Sequence, residues 1–345
     1  MALSNQVAED LRALSQKQIA DFFEGNKSVT KKDCDDLAAR IVGGPVEPSG
    51  LQGATSYTVV AADDAGPVVQ FRPANNAFNL DLLRHVEETY GLRFVPRHEY
   101  VGMLGHVYVY KMSYIGGVSA FLTRDQFRAD GGRLLRIALK DFARFYASAW
   151  RNRPSSMPLP DRGELCAAYR AELEELHDGL PGQFRATLAR LLRDLPSLFV
   201  KDWPLVLNHS DLVENNIHVH PETGHLEGIC DWRSTFVGPF GISLDGIECL
   251  LGEGTKESTG EVWRWVGNVA ELRAAFWADF VAAAGQDFDA KRADTARQVG
   301  LFRKYGFIWK WGKRVPATEG TLSLQYLRVY LEGSDLNRGV LLEVT

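Results

Sequence analysis

The chain has 345 residues, 45% hydrophobic and 24% charged, with a formal net charge of −5. That balance is ordinary for a folded protein; it excludes disorder, collagen and coiled coil, and the length allows two lobes. No polybasic run offers a grip on nucleic acid or an anionic membrane, no apolar run spans a bilayer, and the polar start MALSNQVAEDLR is no signal peptide, so a cytoplasmic protein without nucleic-acid or membrane partners is expected.

In chain order, Ser4 reads as a helix cap, with Val7, Leu11 and Leu14 at helical spacing to about Phe23. A second helix is expected over residues 30–42, stopped by Gly43-Gly44-Pro45. β-type runs follow at residues 56–62, 67–72 and 105–112, with a helix at 79–90, ended by Gly91, between the last two. From Gly116 onward helical periodicity dominates, most clearly at residues 133–150; a Pro-rich loop at 151–160 precedes further helices to Leu195. One β segment, residues 205–232, interrupts the helices. The rest reads as helical, with Val262, Val266, Val269, Leu272, Phe276 and Phe280 forming one core stripe. The four cysteines lie far apart with no CxxC pair, which suggests neither a disulfide framework nor a cysteine zinc site. A small β-rich lobe thus precedes a larger helical one, and ligands favour clefts between such lobes.

The chemistry concentrates in His209-Ser210-Asp211-Leu212-Val213-Glu214-Asn215-Asn216, set between two apolar strands, with Asp231 ending the next apolar run at Gly228-Ile229-Cys230. The pattern is strand, polar loop, strand, turn, strand, and it can bring Asp211, Asn216 and Asp231 onto one rim. Two carboxylates and an amide oxygen are hard ligands suited to Mg²⁺, which takes its remaining oxygens from phosphate and water.

HSDLVENN followed by ICDW resembles the HxDxxxxN and I-D-[WFL] signature of the aminoglycoside phosphotransferase and choline kinase group. Further segments, VVQFRP, LDLLRHVEETYG, VYKMSYIGG and GPFGISLDGIECLLG, are similar to phosphotransferase-like proteins common in filamentous fungi. The resemblance covers roughly residues 45 to 250. It implies an α+β, bilobal, protein-kinase-like fold: residues 1–112 as N-terminal helices and nucleotide-binding lobe, residues 113–345 as a mostly helical lobe with the catalytic hairpin and the acceptor-binding helices. It implies ATP and Mg²⁺ as cofactors and a small-molecule acceptor, and leaves the oligomeric state unread. Asp211 matches the residue that orients the acceptor hydroxyl and takes its proton; Asn216 and Asp231 match the metal ligands; His209 would brace the loop.

For the nucleotide, the resemblance implies a phosphate-covering loop at Gly50, Gly53 and Ser56, although a plain Gly/Ser turn reads the same way without context. Gln70 and Arg72 share a strand face, and Arg72, whose planar fork suits phosphate, is preferred for the position where the family has Lys or Arg. Its acidic partner would be Asp81 or Glu87, with Asp81 favoured, and the adenine would meet backbone near Tyr110 to Met112.

Two departures stand out: Arg233-Ser234 follows Asp231-Trp232, and Ser243 occupies a position where many relatives have a bracing Asp, with Asp245 nearby. They motivate a rival reading as a pseudokinase that binds without catalysing. A protein-substrate kinase is disfavoured because no activation segment follows Asp231. His209, Ser210 and Asp211 cannot form a hydrolase triad, since neighbours in extended chain point to opposite faces. His218, His220 and His225 read as a polar strand face rather than a zinc site lacking further ligands. Residues 251–345 hold 12 acidic and 13 basic residues, a net +1, whereas polycationic aminoglycosides need an acidic pocket. Arg303, Lys304, Lys310, Lys313 and Arg314 read as a solvated basic face; the alternative puts Trp309 and Trp311 in the wall of a pocket for a neutral or anionic, partly apolar acceptor.

Overall fold

Thr30 opens the second helix with a reciprocal cap. Its hydroxyl accepts from the Asp33 N–H while the Asp33 carboxylate accepts from the Thr30 N–H. In this computed structural model, which describes residues 5–62, 66–257, 260–285 and 288–332, the chain begins with helices α1 (Asn5–Gly25) and α2 (Lys31–Val42). Ser4 lies outside the described residues. Strands β1 (Val46–Pro48), β2 (Tyr57–Ala61) and β3 (Val68–Pro73) come next, then helix α3 (Leu80–Tyr90), then β4 (His98–Leu104) and β5 (Val107–Met112). The five strands form one antiparallel sheet in the order β1-β2-β3-β5-β4.

Alternation along β2 and β3 sends Tyr57, Val59, Val69 and Phe71 to one face, where Phe22 of α1 and Cys34 and Ala38 of α2 cover them. Helix α3 turns the other way. Capped by Asn79, it places Leu83, Val86 and Tyr90 in the larger core of the molecule. The Tyr90 ring stacks on Phe145 with centroids 4.4 Å apart, and its hydroxyl donates to the Leu207 carbonyl at 2.6 Å.

The larger part contains β6 (Val118–Ser119), α4 (Arg124–Arg128), α5 (Arg133–Arg151), α6 (Arg162–Gly179) and α7 (Arg185–Asp194). Strands β7 (Leu205–Asn208), β8 (Ile217–Val219), β9 (Leu226–Ile229) and β10 (Phe236–Pro239) follow, and then α8 (Gly246–Leu251). The expected single β unit is in fact divided: β7 pairs with β10, whereas β8 pairs with β6 and β9. The loop between β7 and β8 therefore crosses from one small sheet to another.

The C-terminal part corrects the expectation of continuous helix. Strands β11 (Gly252–Glu257) and β12 (Gly260–Trp265) form a hairpin before α9 (Val269–Ala284) and α10 (Ala290–Tyr305). A second hairpin, β13 (Phe307–Lys310) with β14 (Lys313–Pro316), precedes α11 (Leu322–Glu332). Val262 thus stands on a strand, and the stripe begins in earnest with Leu272, Phe276 and Phe280, all fully buried on α9 against α5.

Candidate active site

Every residue of β7 is buried, so the strand is a fixed mount for the loop that follows it. His209, 3% exposed, ties the start of that loop to the end of β9. Its Nε2 donates to the Cys230 carbonyl at 2.9 Å, and its Nδ1 accepts from the Asp211 N–H at 3.0 Å. That pair of bonds requires the neutral ring, and burial pushes the imidazole below its ordinary value, the nearby carboxylates pulling back only in part. His209 is a brace.

Asn216 extends the web. Its Nδ2 donates to the Asp211 carbonyl at 2.8 Å, and its own carbonyl accepts from the Cys230 N–H at 2.9 Å. The next residue, Asp231, adopts φ 58° and ψ 54°, a left-handed conformation sparsely used by side-chain-bearing residues. Asp211, Asn216 and Asp231 are therefore tied to one hydrogen-bonded junction between β7, β8 and β9. The Asp231 carboxylate and the Asn216 amide oxygen are a hard-donor pair that fits Mg²⁺, an ion content with few protein ligands. Among the described residues no group of three or more His, Cys, Asp or Glu side chains is placed to hold a metal ion.

Arg72 reaches this junction from β3. Its guanidinium is 2% exposed and lies 3.1 Å from Asp231 Oδ1, with Nε on Gln70 at 2.6 Å and the plane over the Phe78 ring at 4.2 Å. Burial lowers its pKa from the ordinary value, and Asp231 works against that shift. Arg72 is thus an interior residue. Its partner is neither Asp81, which pairs with Arg84 in solvent, nor Glu87, which accepts from the His98 N–H. The α3 acids face away from Arg72, and Asp231 takes their place.

Lys304, read from the sequence as part of a solvated basic face, is the residue sequence reasoning missed. It ends α10 with Nζ 2.9 Å from Asp245 Oδ2 and 3.9 Å from Asp211 Oδ1. No local pattern marks it, because the contact spans the whole distance from the 209–216 loop to the last turn of a remote helix. Ser243 also has a partner at this junction: its hydroxyl donates to Asn208 Oδ1 at 3.1 Å, at the root of the loop. Arg233 is close enough to Arg72 to depress that guanidinium, and makes no ion pair of its own among the described residues.

The remaining expected residues are placed as follows. Gly50, Gly53 and Ser56 lie between β1 and β2, where the Gly50 carbonyl accepts from the Ser15 hydroxyl at 2.9 Å and Gln52 bridges Ser49 and Thr58. A relay of side chains, Thr58 to Gln70 to Arg72, runs from this loop's exit strand to Asp231. Tyr110 and Met112 sit within β5, paired with β3 on one side and β4 on the other, so the sheet already flanks their backbone on both edges. The pairing runs one residue further, the Ser113 N–H donating to the Arg97 carbonyl at 3.0 Å, so chain free of the ladder begins at Tyr114. Trp309 and Trp311 are 76% and 89% exposed on the β13–β14 hairpin and form no pocket wall, and Arg303 and Arg314 pair with Glu172.

A sequence model of the phosphotransferase enzyme family matches residues 77–244. No protein of curated function matches the chain. Among solved structures, the chain is similar to a putative aminoglycoside phosphotransferase from Ralstonia eutropha at 12% identity and a TM-score of 0.55, over 89% of this chain and 96% of that one. Against ADP-bound aminoglycoside phosphotransferase APH(2'')-Ib the identity is 15% and the TM-score 0.52, over 88% and 98% of the two chains. Against the streptomycin–ATP complex of APH(2'')-IIa they are 14% and 0.51, over 88% and 97%. The fold is accordingly the α+β, protein-kinase-like fold of these phosphotransferases.

Proposed function

We propose that the chain is an ATP- and Mg²⁺-dependent phosphotransferase that moves the γ-phosphoryl group to a hydroxyl of a small molecule other than an aminoglycoside. One observation carries the reading: the junction that ties Asp211, Asn216 and Asp231 together, faced by the buried guanidinium of Arg72 from the sheet. In this reading residues 1–112 hold the nucleotide, with Gly50, Gly53 and Ser56 over the phosphates, and residues 113–345 supply the loop and the acceptor surface. Tyr110 and Met112 lead into this region, and the stretch from Tyr114 to Gly117, beyond the Ser113–Arg97 backbone bond, supplies the backbone that meets the base.

Phosphoryl transfer asks mainly for positioning and charge neutralisation. Asp211, its side chain 58% exposed, has the reach to accept the acceptor's proton, and His209 holds its backbone still. Arg72 exchanges Asp231 for phosphate oxygens. A magnesium ion held by Asn216 and Asp231 would neutralise charge on the phosphates.

The charge pattern argues against a polycationic acceptor. Four acids of the helical part have basic partners: Glu172 with Arg303 and Arg314, Glu253 with Arg128, Glu248 with Arg273 and Arg297, Asp245 with Lys304. The pairing of Asp231 with Arg72 favours the pseudokinase as second reading, because that carboxylate is engaged. Mg²⁺-dependent ATP binding followed by phosphoryl transfer in a metabolite screen separates the two. Wild type should turn over and Asp211→Ala should lose about 10²-fold or more in kcat. Equal silence of both proteins with ATP bound would favour the pseudokinase.

A further inference from the structure

We propose that Lys304 is a positioning residue of the transfer reaction: anchored on Asp245, its ammonium holds the Asp211 carboxylate in the orientation that faces the acceptor. The inference rests on the phosphotransferase reading above and goes beyond it by assigning work to a helix outside the catalytic hairpin.

The geometry is asymmetric in an informative way. Asp245 is 5% exposed and lies 2.9 Å from Nζ, whereas the Asp211 side chain is 58% exposed and lies 3.9 Å away. An ammonium carries three donors. One is spent on the buried acid, which a purely structural ion pair would require and which would satisfy both charges. The second contact serves an exposed carboxylate that needs no partner for folding, at the one residue the transfer reaction uses as base. Burial alone would depress the Lys304 ammonium, but Asp245, Tyr305 and Asp211 more than offset it and keep the group charged. Its place in the last turn of α10, at the negative end of the helix dipole, also favours the cation.

A carboxylate with one oxygen drawn toward a fixed ammonium has lost rotational freedom and keeps the other oxygen for the hydroxyl proton. Small errors in such placement are expensive in rate. Lys304 therefore acts on kcat through Asp211 and leaves nucleotide binding, which belongs to Arg72 and the metal ligands, largely untouched.

The test compares wild type with Lys304→Met, Lys304→Arg and Asp211→Ala, with Mg·ATP as nucleotide and either water or an acceptor found by screening. Because Lys304→Met strands Asp245, the double variant Lys304→Met/Asp245→Leu, which replaces the buried pair by apolar groups, guards against simple misfolding. Either variant should lose about tenfold or more in kcat with KM for ATP within about twofold, and Lys304→Arg should recover most of the loss. A kcat within about twofold of wild type, in a background where Asp211→Ala is dead, would overturn the proposal and spare the phosphotransferase reading. If wild type itself never turns over, that reading fails first, and crystals of wild type and the double variant soaked with a non-hydrolysable Mg·ATP analogue decide the positioning claim. A displaced or disordered Asp211 side chain in the variant supports it; an unchanged one sinks it.

Discussion

Asp231 combines three properties at a single residue: a left-handed backbone, an exposed carboxylate and an ion pair with a buried arginine. Asparagine tolerates the same backbone conformation, so Asp231→Asn removes the charge while keeping the turn. Titration calorimetry of ATP with and without Mg²⁺ should show the metal-dependent part of the affinity lost in this variant, about tenfold or more, with the fold intact by circular dichroism. At this scale the sequence was most legible where chemistry is local. The loop 209–216 and Asp231 stand in a short, patterned stretch, and the bracing role expected for His209 agrees with its two hydrogen bonds. The strand face offered Gln70 and Arg72 alike and the guanidinium fork favoured Arg72, but the partner of Arg72 was not legible, because it lies 159 residues further on. Lys304 was illegible for the same reason.

Among the elements, the helices that carry strong caps or breakers lay where the pattern put them: Thr30 and Gly43 bound α2, and Asn79 and Gly91 bound α3. The missed elements are the two C-terminal hairpins. The turn of β13–β14 is Trp311-Gly312, with φ 50° and 72°, a pair of positive values that Asn-Gly would have announced and Trp-Gly does not. Replacing Trp311 by Asn should therefore raise the thermal midpoint slightly, by about 0.5 kcal/mol of stability, and leave kcat/KM unchanged, since the indole lines no pocket. Glu172 ties α6 to α10 and β14 through Arg303 and Arg314. Burial alone would lift its carboxyl, but the two guanidiniums outweigh it and hold the group below its ordinary 4.5. Its contribution is then fully present above that value and lost as pH falls through the lower folded value. Glu172→Gln should accordingly show a smaller drop in thermal midpoint than wild type as pH is lowered below 4.5.

For the whole molecule, composition and motif order were enough to place a β-rich part before a helical one, and the solved structures of similar fold agree with that arrangement. What pattern alone could not reveal is how the two apolar cores divide the elements between them. Helix α3 is enclosed in the sequence by strands of the sheet, yet its apolar side belongs to the core of α5, through Leu83, Val86 and Tyr90. Phe94 follows suit, its carbonyl accepting from the Ile229 N–H at 2.7 Å.

The fixing of α3 has a mechanical consequence for the sheet. With Tyr90 stacked on Phe145 and bonded to Leu207, that helix is fixed to the strand that mounts the 209–216 loop. A displacement of the sheet against that scaffold would have to part Arg72 from Asp231, the ion pair that joins β3 to the end of β9.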